Sequence, residues 1–366
     1  MLSGIVAILI IASVAAALAA VLVVSEMFIA DYGQCKITVN DDRELTVDGG
    51  KSLLECLTSE QIFIPSVCGG RGTCGYCKCK VNSGAGPLLP TETPFLSKEE
   101  LDGNVRLSCQ VKVKSDISIR IPDELLSVRQ FETVCTSITD LTHDTKQFTF
   151  QMKEPAEINF IPGQYVQLLC PEYPGNKEEV YRAYSVSSDP ADKKNIELVI
   201  RKVPNGICTT YCFEHLKATD TVYLNGPYCE FRLLDTQAPM IFIAGGSGMA
   251  PIKCLLHQMK NTSSKRQCKY FFGSNTVDDQ FYGELMHEFE KSLADFKYVP
   301  VVANPPQDGK WTGETGLVTE AVMRAYKDLS GHEAYLCGSP GMIDASIKVL
   351  RSMGMQENKI FYDKFA

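Results

Sequence analysis

The chain is 366 residues long, 45% hydrophobic and 22% charged, with a formal net charge of −8. That length holds two or three domains with cores of their own, and the acidic balance excludes nucleic acid as a main partner, since phosphate binding needs a basic footprint. The 15 cysteines run through the whole chain rather than a short secreted frame, which points to a reducing compartment with one metal site, not to a disulfide scaffold.

Residues 1–24 contain no charge, and the first charged residue is Glu26. A run of that length spans the hydrocarbon layer as a helix. A cleaved signal peptide would start with Lys or Arg and carry a shorter apolar stretch. A retained transmembrane anchor is therefore expected over 1–30. The nearby charges Glu26, Asp31 and Lys36 nearly cancel, so orientation is not readable from them.

Residues 35–40 and 44–47 alternate as two strands around an Asn40-Asp41-Asp42 turn, and 52–57 reads as a short helix. Then come Cys68, Cys74 and Cys77 on one glycine-rich loop, with Cys109 far downstream, a C-x5-C-x2-C-x31-C pattern. Thiolates are soft ligands suited to iron–sulfur clusters and to zinc. The glycines from Gly69 to Gly75 let the backbone wrap tightly and aim N–H groups at sulfur. A zinc ribbon normally pairs two C-x2-C knuckles, and Cys109 has no such partner, the next cysteine being Cys135. The spacing favours a [2Fe–2S] cluster. Cys79 shares a strand face with Cys77 and is expected to pack beneath the site. This module covers 34–128.

Ile121-Pro122 closes the module and 125–130 reads as a linker. From Phe131 onward short strands dominate, among them 147–151, 164–169 and 196–202, consistent with a β-barrel or sandwich over 129–234. Two local patterns suit a flavin dinucleotide. In Arg182-Ala183-Tyr184-Ser185 the guanidinium can clamp a pyrophosphate, the tyrosine can cover an isoalloxazine face and the serine can bond the flavin edge. Gly206 and Thr209, ahead of an amphipathic stretch at 211–216, suggest a second phosphate contact.

The last segment, 235–366, begins with a buried-type strand at 240–244, followed by Gly245-Gly246-Ser247-Gly248 and a helix at 252–259. Strand, glycine turn and helix present N–H groups to a diphosphate. Further alternation follows, with strands at 267–273, 298–303 and 333–337 and helices at 280–293, 316–327 and 343–353, which argues for a doubly wound parallel sheet. Cys337-Gly338 stands at a strand's carboxyl end, where such sheets bind ligands. After the strand at 267–273 the sequence reaches Asp278 and Asp279 with no Arg or Lys to meet a 2′-phosphate, so NADH is expected over NADPH.

The order of anchor, cysteine loop, Arg182-to-Ser185 motif, glycine turn and Cys337-Gly338, with the run from Arg106 to Lys114 and the ending Phe361-Tyr362-Asp363-Lys364-Phe365, resembles the F subunits of Na+-translocating NADH:quinone oxidoreductases, within the wider ferredoxin–NADP+ reductase superfamily. The resemblance implies a multidomain α+β fold: a transmembrane helix, a β-grasp ferredoxin domain, an antiparallel β-barrel holding FAD and a Rossmann-like NADH domain. It implies that Cys68, Cys74, Cys77 and Cys109 ligate the cluster. It puts Arg182, Tyr184, Ser185, Gly206 and Thr209 on FAD, and Gly245, Gly246, Gly248, Cys337 and Gly338 on NADH. Ser185 and Cys337 are then the side chains at the point of hydride transfer, and Phe365 shields the flavin face. The implied path runs from NADH through FAD to the cluster, then to membrane subunits and indirectly to quinone, coupled to Na+ translocation by the complex. It places the anchor in the inner membrane and the domains in the cytoplasm, where NADH is supplied. A free-standing, membrane-anchored NADH reductase serving an oxygenase or soluble carrier is the alternative. An iron–sulfur protein without flavin is a third reading.

Overall fold

The computed structural model of the protein describes residues 10–19, 21, 32–228, 231–307 and 309–365. Most of the expected anchor lies outside the described residues. Its described part, 10–19 and 21, is helical and exposed, and among the described residues no helix is long and apolar enough to cross a membrane. The described chain divides into two compact units, Met1–Val128 and Arg129–Ala366.

The first unit is a five-stranded sheet in the order β2-β1-β5-β3-β4, built from β1 (Gln34–Val39), β2 (Arg43–Asp48), β3 (Lys78–Ser83), β4 (Val105–Leu107) and β5 (Ile117–Arg120). In β1 the residues Cys35, Ile37 and Val39 alternate inward, the period-2 pattern of a half-buried strand. α1 (Leu53–Ser59) starts at a Ser52–Glu55 capping box, and its Leu53 and Leu57 bury completely against that face. Each contributes about 1.5–3 kcal/mol by burial. α2 (Lys98–Asp102) repeats the capping box with Ser97 and Glu100. The β1–β5 pairing is parallel while β1–β2 is antiparallel, giving the mixed sheet with a crossing helix expected of a β-grasp ferredoxin domain.

The second unit holds two sheets. β6 (Arg129–Asp140), β7 (Thr145–Glu154), β8 (Tyr165–Cys170), β9 (Val180–Ser185), β10 (Asn195–Arg201) and β11 (Thr221–Tyr228) pair only antiparallel, in the order β10-β7-β6-β11-β8-β9. A bridge from Val186 to Leu198 links the two outer strands. α3 (Ile207–Thr210) packs on β8 and β9. The other sheet is parallel, with β12 (Met240–Gly245), β13 (Cys268–Ser274), β14 (Phe296–Val302), β15 (Glu314–Thr315), β16 (Glu333–Gly338) and β17 (Ile360–Lys364) in the order β15-β14-β13-β12-β16-β17. Among its helices are α4 (Met249–Asn261), α5 (Gly283–Ser292), α6 (Val318–Ala325) and α7 (Pro340–Ser352). The order reverses between β12 and β16, the switch point at which doubly wound sheets open a crevice.

The structure departs from the reading of the sequence in four places. The linker expected at 125–130 is too long, because Arg129 and Gln130 already pair with Gly226 and Asn225. The helix expected from 280 begins at Gly283, since Tyr282 takes a left-handed φ of 58°. Residues 211–216 make one wide turn, Tyr211–His215, rather than a regular amphipathic helix. β17 is a strand that the sequence pattern does not announce.

Candidate redox sites

The cysteine loop follows α1 and is shaped by glycine. Gly69, Gly70, Gly72 and Gly75 all take positive φ, a region that L side chains avoid. Gly75 is also sterically obliged, because a Cβ there would meet the Phe95 ring and Cβ at 2.9 Å. The folded loop brings the four expected ligands together as two pairs: Cys68 contacts Cys74, and Cys77 contacts Cys109. Backbone N–H groups of Arg71 and Thr73 point to the Cys68 sulfur, those of Tyr76 and Cys68 to Cys74, and that of Gly72 to Cys109. The hydrogen bond from Cys74 pulls the Cys68 thiol down to about 4, against burial. The Cys77 thiol, aided by the Gln110 amide, holds Cys109 at about 7. Ser108 Oγ is buried, has no oxygen or nitrogen partner, and faces the Cys77 sulfur. Two thiol pairs ringed by N–H donors fit two irons bridged by sulfide. Among the described residues no three potential ligands converge on one metal-ion position. Cys79 lies in the core below, its thiol raised to about 12 by burial, and it is opposite Arg106 in the β3–β4 register.

Sequence reasoning missed the groups that hold this loop. Arg106 Nε and Nη2 reach Glu92 at 2.9 and 2.6 Å, and Glu92, fully buried, also accepts from the Leu89 and Leu107 amides at 2.9 and 3.0 Å. Arg106 donates further to the carbonyls of Gly86 and Pro87. Burial pushes the Glu92 carboxyl up, but these hydrogen bonds outweigh it and hold the group below the usual range. The pair ties loop 86–92 to the strand that leads into Cys109. Ser66 Oγ accepts from Gly70 N–H at 2.9 Å and fixes the loop's entry. A buried Glu–Arg pair has no local sequence signature.

In the second unit β9 carries Arg182, Tyr184 and Ser185. Arg182 donates to the Tyr181 carbonyl at 2.8 Å and makes no ion pair with a carboxylate among the described residues, so its charge is available to an anionic ligand. Gly206 opens the α3 turn beside β9. The Thr209 hydroxyl is occupied inside that turn, bonding Val203 N–H and carbonyl at 3.2 Å each, so Thr209 holds the turn's shape rather than presenting a free hydroxyl.

At the switch point Gly245, Gly246 and Gly248 form the turn from β12 into α4. A Cβ on Gly248 would lie 2.5 Å from the Cys337 carbonyl carbon and 2.9 Å from Gly338 N, so only glycine lets this turn close on the end of β16. Phe365 N–H donates to the Gly338 carbonyl at 2.9 Å, fastening the chain's last described residue there. In the β16–β17 register Cys337 faces Asp363, whose backbone N–H reaches the Cys337 sulfur. Burial raises the Cys337 thiol strongly, so it stands as a neutral SH. Asp363 Oδ2 accepts from Ser185 Oγ at 3.2 Å. Burial lifts the Asp363 carboxyl to about 6, with the serine bond pulling the other way. Ser185 and Cys337, on different sheets, thus meet through Asp363. Sequence reasoning passed over Asp363, although it sits inside the terminal motif.

Comparison with known proteins finds a matching family for each of three segments. Residues 37–114 match the family described as "2Fe-2S iron-sulfur cluster binding domain", 132–233 "Oxidoreductase FAD-binding domain" and 242–348 "Oxidoreductase NAD-binding domain". The chain is 34% identical to the F subunit of the Na+-translocating NADH-quinone reductase of Neisseria gonorrhoeae, covering 95% of this chain and 96% of that one. It is 32% identical to the protein of the same name in Pseudomonas aeruginosa, covering 95% of each. Among solved structures, a cytochrome P450 reductase from Amycolatopsis superposes with a TM-score of 0.72 at 27% identity, over 90% of this chain and 98% of the other. The ferredoxin reductase of carbazole 1,9a-dioxygenase reaches 0.68 at 25%, over 91% and 99%. FAD, NADH and a [2Fe–2S] cluster are the cofactors of such a domain set, on a ferredoxin-reductase-type multidomain α+β fold. The chain belongs to the family of Na+-translocating NADH-quinone reductase F subunits.

Proposed function

We propose that this chain is the NADH-oxidising arm of a membrane quinone reductase, divided into an anchor at 1–30, a ferredoxin module at 34–128, a flavin barrel at 129–234 and a nicotinamide domain at 235–366. The observation that carries it is the meeting of Ser185, Asp363 and Cys337 at the switch point. When bound, FAD supplies the conversion of NADH's hydride into single electrons for the [2Fe–2S] cluster. Cys68 with Cys74 would hold one iron and Cys77 with Cys109 the other. Arg182 neutralises the flavin's diphosphate, Tyr184 lies along its ring, and Gly206 and Thr209 keep the second phosphate turn open. Gly245, Gly246 and Gly248 leave room for the nicotinamide nucleotide's diphosphate, Gly338 lets its reactive end approach, and Phe365 covers the flavin face. Ser185 is oriented by Asp363, while Cys337, neutral and buried, closes the nicotinamide pocket without adding charge. The protein's share is positioning and the exclusion of water.

NADH is preferred over NADPH, because the turn after β13 offers Asp278 and Asp279 and no cation; a higher kcat/KM with NADPH would refute this. Residues 1–30 hold the chain at the inner membrane, with the domains in the cytoplasm, and the complex's other subunits carry electrons to quinone and move Na+. The deciding experiment is mass spectrometry of what co-purifies with the chain from native membranes in mild detergent. Several polytopic subunits are expected. Recovery alone, or with an oxygenase or soluble carrier, would instead favour a free-standing reductase, a reading to which the likeness to the two oxygenase-type reductases lends weight.

A further inference from the structure

A second thiol cluster lies outside the iron site. Cys170 ends β8, with its sulfur 3.9 Å from the Ile207 carbonyl, at the start of α3. Cys208 on α3 contacts Cys170 on one side, Cys212 on the other and the Tyr184 hydroxyl on β9. All three thiols are at most 2% exposed and share one core cluster with Tyr184 packed against it. A buried cysteine is ordinarily a small apolar filler. Here one sulfur, that of Cys208, touches two others and a tyrosine hydroxyl, beside the two segments assigned to FAD.

We propose that Cys170 and Cys208 form a peroxide-oxidisable dithiol whose oxidation loosens the flavin site. This rests on the assignment of Tyr184 and Gly206 to FAD. Cys208 is the central sulfur of the group: hydrogen bonds from Cys170 and Cys212, joined by the Tyr184 hydroxyl and the Arg182 charge, favour its ionised form against the opposing effect of burial, so Cys208 is the sulfur placed to react first. Burial confines the oxidant to a small neutral molecule such as hydrogen peroxide. The Cys208 thiolate attacks one peroxide oxygen, the O–O bond breaks, and hydroxide leaves, giving a sulfenic acid. Cys170 sulfur then attacks the Cys208 sulfur, the S–O bond breaks, and water leaves. Two thiols lose two electrons and two protons while one peroxide becomes two waters. The new bond removes the acceptor of the Tyr184 hydroxyl and draws α3 onto β8, displacing the Gly206 turn.

The test uses the full-length, FAD-loaded protein, exposed to a small excess of hydrogen peroxide, alkylated, digested without reductant and mapped by mass spectrometry, with released flavin measured by fluorescence. The expected result is a Cys170–Cys208 linked peptide and retention of FAD weakened about ten-fold, the worth of one charge-assisted hydrogen bond, both reversed by dithiothreitol. Cys212→Ala should still form the link, whereas in Cys170→Ala the Cys208 sulfenic acid should be trapped by dimedone. Alkylation of both Cys170 and Cys208 as free thiols after peroxide treatment would overturn the proposal, as would a linked peptide with FAD fully retained. The FAD assignment itself is judged apart from this, by whether untreated, reduced Arg182→Ala protein has lost its flavin.

Discussion

Replacing Gly248 by alanine isolates what the switch point demands. Gly248 has φ −59°, a helical value that alanine adopts freely, so the substitution brings no backbone penalty of its own. Its Cβ would stand 2.5 Å from the Cys337 carbonyl carbon, whereas an unstrained carbon pair sits about 3.5 Å apart, so β16 and the α4 turn must separate by about 1 Å. Overpacking of that kind costs about 1–3 kcal/mol of stability. A displacement of about 1 Å at a reacting centre costs up to about a hundred-fold in rate. Stopped-flow reduction of the bound flavin by NADH should therefore slow by ten- to a hundred-fold, while flavin content and the cluster's visible spectrum stay unchanged, since neither site lies on this turn. Wild-type reduction rates in Gly248→Ala would refute the placement of the nicotinamide at the end of β12 and β16.

Other substitutions test the remaining sites. Cys77→Ser should lose the visible absorbance of the iron–sulfur cluster and Cys79→Ser should keep it; the reverse pattern would sink the ligand assignment. Glu92→Gln leaves the buried Arg106 without its counter-charge and should lower stability by about 3–5 kcal/mol in chemical denaturation; a loss below about 1 kcal/mol would mean that the pair does not hold the loop. Asp363 titrates in the fold near 6 against an ordinary value of 3.8. A carboxyl raised by folding binds more protons in the native state, so its contribution to stability is greatest below 3.8 and declines as pH rises to about 6. Asp363→Asn should abolish that share of the pH dependence, read as the difference between the two denaturation profiles from pH 4 to 7; identical slopes would show that the carboxyl is not desolvated.

Much of this protein was legible in its residues one after another. The cysteine spacing named a soft-metal loop, and glycines at positive φ explain why that loop closes. The apolar run before Gly245 and the β/α alternation after it announced a parallel sheet, because burial on both faces leaves a continuous hydrophobic signature. These signals are local, since they depend on backbone freedom, side-chain period and ligand chemistry within a few residues. The two-by-two pairing of the cluster thiols, the Glu92–Arg106 pair beneath them, the contact of Ser185 with Asp363 and the thiols of Cys170 and Cys208 were decided by tertiary structure alone. Each joins residues on separate segments whose neighbours carry no trace of the partner. β17 shows the boundary most clearly: residues 360–364 hold only five positions of mixed polarity, and they become a strand because β16 offers an unpaired edge. Local chemistry selected the cofactors, and the register between strands far apart in the chain determined which atoms would meet.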